Sequence, residues 1–107
     1  MIRRIDRSPE ALMRIRQRFA ENMRSIRKRE GISHEKLAAL SGLHRTEISL
    51  LERCKRTPVL ETIVAISRGL GLSSPVELLE GIGEVVVEIE PGVRQPAADA
   101  PTPTPTP

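Results

Sequence analysis

Apolar residues recur at helical spacing along most of this chain, and residues that begin or end helices separate the periodic stretches. The first stretch lies between Ser8-Pro9-Glu10, a helix-start signal, and Gly31, which favours a helix end. Its apolar positions, three or four residues apart, are Leu12, Ile15, Phe19, Met23 and Ile26. The pattern leaves two possibilities open: one helix of about twenty residues, or a short extra helix before a core helix that begins near Phe19.

Residues 33–51, SHEKLAALSGLHRTEISLL, predict two short helices joined by a tight turn. Ala38 is small enough to let two helices cross closely, Gly42 tolerates the positive φ of a turn, and Ile48 wedges against the first helix. The other inward positions at helical spacing are Leu37, Leu40, Leu43 and Leu51. This is the helix-turn-helix pattern, whose second helix enters the major groove of DNA.

Two further helices follow a loop that Pro58 closes. The fourth helix stops at Gly69–Gly71, and its apolar positions are Leu60, Ile63, Val64, Ile66, Leu70 and Leu72. A fifth helix is predicted from Ser74-Pro75 to Gly83. The fold class is therefore all-α, with a core domain over residues 18–83 of about 65 residues, a size at which burial is modest and dimerisation would add stability.

The segments outside this core differ from it in composition. Residues 1–17 form a basic extension, predicted to be helical from about residue 9. Residues 84–90, EVVVEIE, favour a strand, and because no second strand is predicted in the chain we expect it to pair with a second subunit or another protein. The alternatives are a segment packed on the helices or a disordered one. Residues 91–107 form a Pro/Thr/Ala tail that we expect to be disordered.

Charge is divided unevenly along the chain. Residues 1–30 carry ten Arg/Lys against four Asp/Glu, residues 31–60 five against three, and residues 61–107 two against seven. The basic half suits a polyanion, and the acidic part is expected to face away from it. The same basic face could also be ordinary solvated helix surface.

Composition also narrows the class of protein. Cys54 is the single cysteine, which excludes an internal disulfide, and no apolar run is long enough for a membrane span, so a cytoplasmic location is expected. Phe19 is the single aromatic residue, which argues against single-stranded nucleic-acid platforms that stack bases on rings. The histidines, cysteine and carboxylates form no recognisable catalytic or metal-binding pattern, so neither an enzyme nor a metal or other cofactor is expected.

With the helix-turn-helix set among these helices, the chain resembles the Cro/phage-repressor type of helix-turn-helix protein. The resemblance rests on IRKREGISHEKLAALSGLHRTEISLLE, a loop ending in proline, and LETIVAISRGLGL, and runs from about Phe19 to Ile82. It implies a five-helix, repressor-like DNA-binding domain. In this family the start of the second helix of the motif reads bases. The matching residues are His44, Arg45, Thr46, Ser49 and Leu50.

These residues differ in how they would act. Arg45 suits a bidentate contact with guanine, and Thr46 can hydrogen-bond or touch a thymine methyl. Leu50 stands where the family is usually polar, and either a thymine methyl or packing on the protein would explain it. His44 either caps the helix or contacts a base.

The resemblance also implies phosphate contacts. One is His34, where the family usually has glutamine; an ordinary exposed helix residue is the alternative. The others are Arg53, Lys55 and Arg56, just past the recognition helix. Cys54 lies among them where the family normally has a positive-φ glycine, and a passive small residue is favoured over a redox sensor.

Two structural roles are implied as well. Arg27 and Glu52 match a buried or half-buried ion pair between the first and third helices of some relatives. Val76, Leu79 and Ile82 exceed what one small core needs, so a homodimer interface is expected on the fifth helix and the segment after it. The predicted function is a sequence-specific regulator of double-stranded DNA, acting as a dimeric repressor on a palindromic operator. The alternative is an antitoxin or adaptor that binds a partner protein through its C-terminal segment and binds DNA for autoregulation.

Overall fold

A single 21-residue helix, α1 (Pro9–Arg29), forms the spine of the fold. The computed structural model describes the backbone of residues 3–89 and the side chains of residues 5–85. Ser8 caps α1 through its side chain, which accepts a hydrogen bond from the Ala11 backbone N–H at 3.1 Å. Of the two possibilities left open by the sequence, the one continuous helix is therefore correct.

Three shorter helices follow: α2 (His34–Ser41), α3 (Arg45–Glu52) and α4 (Leu60–Gly69). Of these, α3 packs against α1, and α2 packs against both α3 and α4. Gly42 ends α2 with φ of +78°, as the turn pattern predicted. Gly69 lets α4 approach α2 closely, because a Cβ there would lie 3.0 Å from the side chains of Leu37 and Ser41. α4 therefore packs closely against α2, the first helix of the α2–α3 pair.

The hydrophobic core lies between these four helices. Its largest fully buried side chains are Phe19, Met23, Leu37, Ile48, Leu51, Ile66, Leu70 and Leu78. Ala38 is also buried at the α2–α3 crossing, while Leu40, which the sequence placed inward, is 52% exposed. The core orients α3, because Ile48 and Leu51 occupy its inner face and leave the opposite face to solvent.

The predicted fifth helix is shorter and tighter than expected. It is a 3₁₀ helix, Pro75–Leu79, rather than a helix that continues to Gly83. Asn22 of α1 holds its end by donating hydrogen bonds from Nδ2 to the carbonyl oxygens of Leu78 and Glu80, both at 2.9 Å. A second 3₁₀ helix, Gly83–Val86, follows.

The prediction that the C-terminal strand has no partner within the chain is wrong. β2 (Val87–Ile89) pairs antiparallel with β1 (Arg3–Ile5), with Arg4 opposite Glu88. The strand is also shorter than residues 84–90, since its first residues belong to the 3₁₀ helix. The physical reason is the length of α1, about 31 Å at 1.5 Å per residue. Its first turns extend past the core, and Arg14 there donates from Nε to the Val85 carbonyl at 2.9 Å. The predicted disordered tail, residues 91–107, lies outside the described residues.

Candidate nucleic-acid interface

The exposed face of α3 carries the residues predicted to read bases. His44, Arg45 and Thr46 are exposed at the start of the helix, and Ser49 lies half-buried one turn further on. Arg45, Thr46, Ser49 and Arg53 line one shallow depression on this surface. Leu50 is half-buried, so its side chain is divided between the protein and solvent. The structure thus brings four polar side chains of the motif together on one face.

His44 begins α3 as its N-cap. The Thr46 backbone N–H donates to Nδ1 of the histidine ring at 3.2 Å. A neutral imidazole that accepts at Nδ1 carries its proton on Nε2, so the ring can still donate outward from that atom. The cap and the base contact, stated as alternatives from the sequence, are therefore chemically compatible.

Arg45 has a neighbour that the sequence did not indicate. Its Nη1 lies 3.3 Å from Oε2 of Glu35, near the start of α2, and both side chains are more than 60% exposed. An ion pair this exposed is strongly screened and stabilises little. It can hold the guanidinium near the α2–α3 surface without preventing it from turning to a base edge.

The loop after α3 presents the three cations predicted to contact phosphate. Arg53, Lys55 and Arg56 are all exposed, and within residues 5–85 none of them has an acidic partner. Cys54 between them has φ of +62°, the left-handed conformation expected where the family normally has glycine. That conformation lets the Lys55 N–H return to the Leu50 carbonyl at 2.9 Å, which ends α3 and turns the loop outward.

The predicted ion pair between Arg27 and Glu52 is present. Arg27 donates from Nε and Nη2 to the two carboxylate oxygens of Glu52, at 2.6 and 3.2 Å. The side chains are only 14% and 6% exposed. A bidentate pair at this depth joins α1 to the end of α3 and so fixes the tilt of the recognition helix.

His34 makes a contact that was not anticipated. Its Nε2 lies 2.9 Å from Oε1 of Glu52, while its side chain is still 36% exposed. Arg24 completes the cluster by donating from Nη2 to the Glu52 carbonyl at 3.0 Å. Because Nε2 of His34 is held by Glu52, the predicted phosphate contact of His34 would use its other ring nitrogen, Nδ1.

These partners set the ionisation of Glu52. Burial on its own would raise the pKa of this carboxyl, but hydrogen bonds from Arg27 and His34 outweigh burial and leave the pKa below its ordinary value. Glu52 is therefore a carboxylate at neutral pH, which is the form that holds Arg27. No spacing rule in the sequence indicates the roles of Arg24 and His34, since three separate helices bring them together.

The residues predicted for a dimer interface lie at the 3₁₀ helix and just after it. Val76 is 67% exposed and Leu79 is 38% exposed, whereas Ile82 packs partly against the core. Glu77 between them is hydrogen-bonded by Arg29 of α1, which lowers the pKa of Glu77. Val76 and Leu79 are thus held outward on a segment tied to α1.

Neither a metal site nor a membrane span is found in the described part of the chain. Within it, no three His, Cys, Asp or Glu side chains are grouped closely enough to hold a metal ion. No helix there combines the length and apolar character needed to cross a membrane.

Comparison with known proteins gives consistent results. The family described as Helix-turn-helix matches residues 23–78. The control protein C.SmaI of Serratia marcescens is 43% identical over 63 residues, which cover 59% of this chain and 75% of that protein. The control protein C.BamHI of Bacillus amyloliquefaciens is 43% identical over 67 residues, covering 62% and 82%.

Solved structures extend the likeness to the fold. The restriction-modification controller protein C.AhdI from Aeromonas hydrophila superposes with a TM-score of 0.56 at 35% identity, over 59% of this chain and 94% of that one. Wild-type C.Esp1396I, also a restriction-modification controller protein, gives 0.59 at 30% identity, over 66% and 92%. The family match begins at residue 23, so the first two-thirds of α1 lies outside it.

Proposed function

Because this chain belongs to the helix-turn-helix family of DNA-binding transcription regulators, which confirms the Cro/phage-repressor resemblance, we propose that it binds a palindromic operator as a homodimer. We place it in the cytoplasm and assign it no catalytic step. The proposal extends the family's general role to a defined mode of binding.

The observation that carries this proposal is the division of α3 into two faces. Ile48 and Leu51 are buried, while Arg45, Thr46 and Ser49 face outward beside the exposed cations of the loop. A helix held by the core on one side can enter the major groove with the other, and cations at its end can bind the flanking backbone. In this mode Arg45 reads guanine, Thr46 and Ser49 contact neighbouring bases, and the loop cations fix the register.

A dimer would place two such helices on one side of the duplex. Recognition helices of two-fold related subunits contact half-sites about 34 Å apart, one turn of DNA. Val76 and Leu79 support this arrangement, since they are apolar, exposed and carried on a segment anchored to α1. We assign the dimer contact to this segment, with Ile82 at its edge.

The relatives point to a class of target genes. C.SmaI and C.BamHI are control proteins, and the matched structures are those of restriction-modification controller proteins. We propose that this protein likewise regulates transcription of a restriction-modification system. Its operator should then lie upstream of a restriction or methyltransferase gene.

The antitoxin or adaptor alternative loses its main support. It relied on residues 84–90 as an unpaired strand that a partner protein could extend, and β1 occupies one edge of that strand. No other described feature favours this alternative over DNA regulation.

Selection of bound sequences from a pool of random duplexes, at physiological salt, tests the proposal. We expect an inverted repeat with half-site centres about one turn apart. Arg45→Ala should lower affinity for the selected site by roughly 1–3 kcal/mol and relax the preference at one base pair of each half-site. Lys55→Ala should weaken binding to all sequences alike. No preference among duplexes would overturn the proposal.

A further inference from the structure

We propose that Arg16, in the part of α1 outside the family match, contacts the DNA backbone and extends the phosphate-binding surface formed by loop residues 53–58. This proposal rests on the proposed function, because it needs that loop to lie against DNA. It adds a contact from an element that precedes the matched domain, and it assigns a single residue among the basic residues at the start of the chain.

The first observation is the position of Arg16. Its Nε donates a hydrogen bond of 2.7 Å to Oγ1 of Thr57, joining α1 to the loop after the recognition helix. Thr57 directly follows Arg56 and is two residues after Lys55, both of which are exposed. The guanidinium is therefore held at the same loop as the predicted phosphate contacts, although 41 residues separate it from Thr57 in sequence.

The second observation is that the neighbouring arginines of α1 are engaged elsewhere. Arg14 donates to the Val85 carbonyl and lies 3.4 Å from Asp6, so it links the segment before α1 to the second 3₁₀ helix. Arg18 lies 3.7 Å from Glu21 and packs against Gly81. A helix turns by about 100° per residue, so Arg16 and Arg18 leave α1 roughly 200° apart. Of these three, only Arg16 faces the loop.

The third observation is charge. Among the described residues Arg16 has no acidic partner, and the same holds for Arg53, Lys55 and Arg56. The arginines of α1 that point elsewhere, such as Arg27 and Arg29, are paired with carboxylates. Four cations without carboxylate partners in this part of the structure are thus collected at one end of α3, which is the arrangement that neutralises consecutive phosphates.

The chemistry of the guanidinium suits this role. One N–H is fixed by Thr57, which reduces the freedom lost on binding, and the two Nη groups remain as a fork for phosphate oxygens. A lysine at this position would keep the charge but lose the Nε–H that orients it. Arg16 is therefore a positioned contact rather than part of a diffuse positive surface.

The experiment compares R16Q with R18Q, which remove the same charge from opposite sides of the same helix. Binding to the selected operator and to an unrelated duplex is measured from 50 to 200 mM salt, and thermal unfolding is recorded for each variant. If R16Q removes one phosphate contact, the affinity ratio of wild type to R16Q should fall about 3.5-fold over this range, from a slope change of about 0.9. R18Q should leave the slope unchanged. R16K and T57V, which remove the anchoring bond and keep the charge, should show an intermediate loss of affinity.

Ethylation interference locates the contact. Lys55→Ala first identifies the phosphate that Lys55 contacts. In wild type, ethylation of the neighbouring phosphate should also block binding, whereas binding by R16Q should be insensitive to ethylation at that neighbouring phosphate alone. Equal slopes for R16Q and R18Q, or an unchanged interference pattern, would overturn the Arg16 assignment while leaving operator binding intact. Binding of wild type to both duplexes without preference would overturn the proposed function. The salt slopes of R16Q and R18Q on either duplex would then still decide whether Arg16 contacts a phosphate. Absence of all DNA binding would overturn both.

Discussion

His34 Nε2 and Glu52 Oε1 lie 2.9 Å apart, so the residue that opens α2 is bonded to the residue that ends α3. The same carboxylate accepts two hydrogen bonds from Arg27 of α1. Three helices therefore meet at a single, nearly buried acid. The geometry of the helix-turn-helix depends on this acid as well as on the apolar contacts of Ala38 and Ile48.

Removing one partner of the Arg27–Glu52 pair should strongly destabilise the fold. Arg27→Met leaves Glu52 charged and 6% exposed, and it also leaves the Ile32 carbonyl without the hydrogen bond it accepts from Arg27 at 2.9 Å. We expect a loss of roughly 3–5 kcal/mol in the free energy of unfolding, the range for breaking a buried pair. Urea unfolding followed by circular dichroism measures it.

The control is the double variant Arg27→Met/Glu52→Leu. Replacing both charges by apolar groups removes the uncompensated carboxylate, so most of the lost stability should return. A melting temperature unchanged in the single variant would show that the pair is not a stabilising element.

The stability contributed by Glu52 should depend on acid pH. Its folded-state pKa lies below the unfolded value, so this contribution is fully present above the unfolded value of about 4.3 and is lost as pH falls through the folded pKa. The difference in unfolding free energy between wild type and Glu52→Gln should be constant above about pH 5 and shrink below it. Other acids with lowered pKa, Asp6 and Glu77, are present in both proteins and cancel. A gap independent of pH down to acid unfolding would contradict the assignment.

Cys54→Gly should stabilise the protein. A non-glycine residue in the left-handed region, such as Cys54, destabilises the folded state by about 1–2 kcal/mol. Glycine removes this strain, but its more flexible unfolded chain lowers the free energy of unfolding by about 0.5–1 kcal/mol. We expect a net gain of up to about 1.5 kcal/mol in the free energy of unfolding, measured by thermal denaturation. Cys54→Ala is the matched control, because it removes the thiol and keeps the strained φ. If Cys54→Gly proved less stable than Cys54→Ala by about 0.5–1 kcal/mol, the entropy cost of glycine would stand alone and the backbone at this position would be unstrained.

Val76→Glu should dissociate the proposed dimer without unfolding the protomer. Val76 is 67% exposed, so a carboxylate there is tolerated in the monomer but is costly when desolvated at an interface. We expect dimer affinity to fall by at least about tenfold in sedimentation equilibrium. Val59→Glu serves as control, since Val59 is 60% exposed at the start of α4. If both variants remain dimeric, the interface lies elsewhere.

The helix-turn-helix could be predicted from sequence because its constraints are local. Ala38, Gly42 and Ile48 each follow from the crossing or the turn of two helices adjacent in sequence. The Arg27–Glu52 pair came from the family resemblance, which fixes the positions of both helices.

The features that sequence did not predict all depend on distant segments meeting. The bond from His34 to Glu52 requires the packed positions of α2 and α3, and spacing along one helix says nothing about it. The 3₁₀ helix of residues 75–79 is bonded at its end by Asn22, which lies 53 residues or more away in sequence and donates to the carbonyls of Leu78 and Glu80. Similarly, the contacts of Arg14, Arg16 and Arg18 depend on which segments pack around α1, and the spacing of these arginines along the helix does not indicate those segments.

The pairing of β1 with β2 gives the chain a closed path. Arg3 lies opposite Ile89, so segments more than eighty residues apart in sequence share one ladder of hydrogen bonds. Each strand has only three residues, too few to persist without its partner. β1 and β2 are therefore a single cooperative unit, and removal of either strand is expected to release the other.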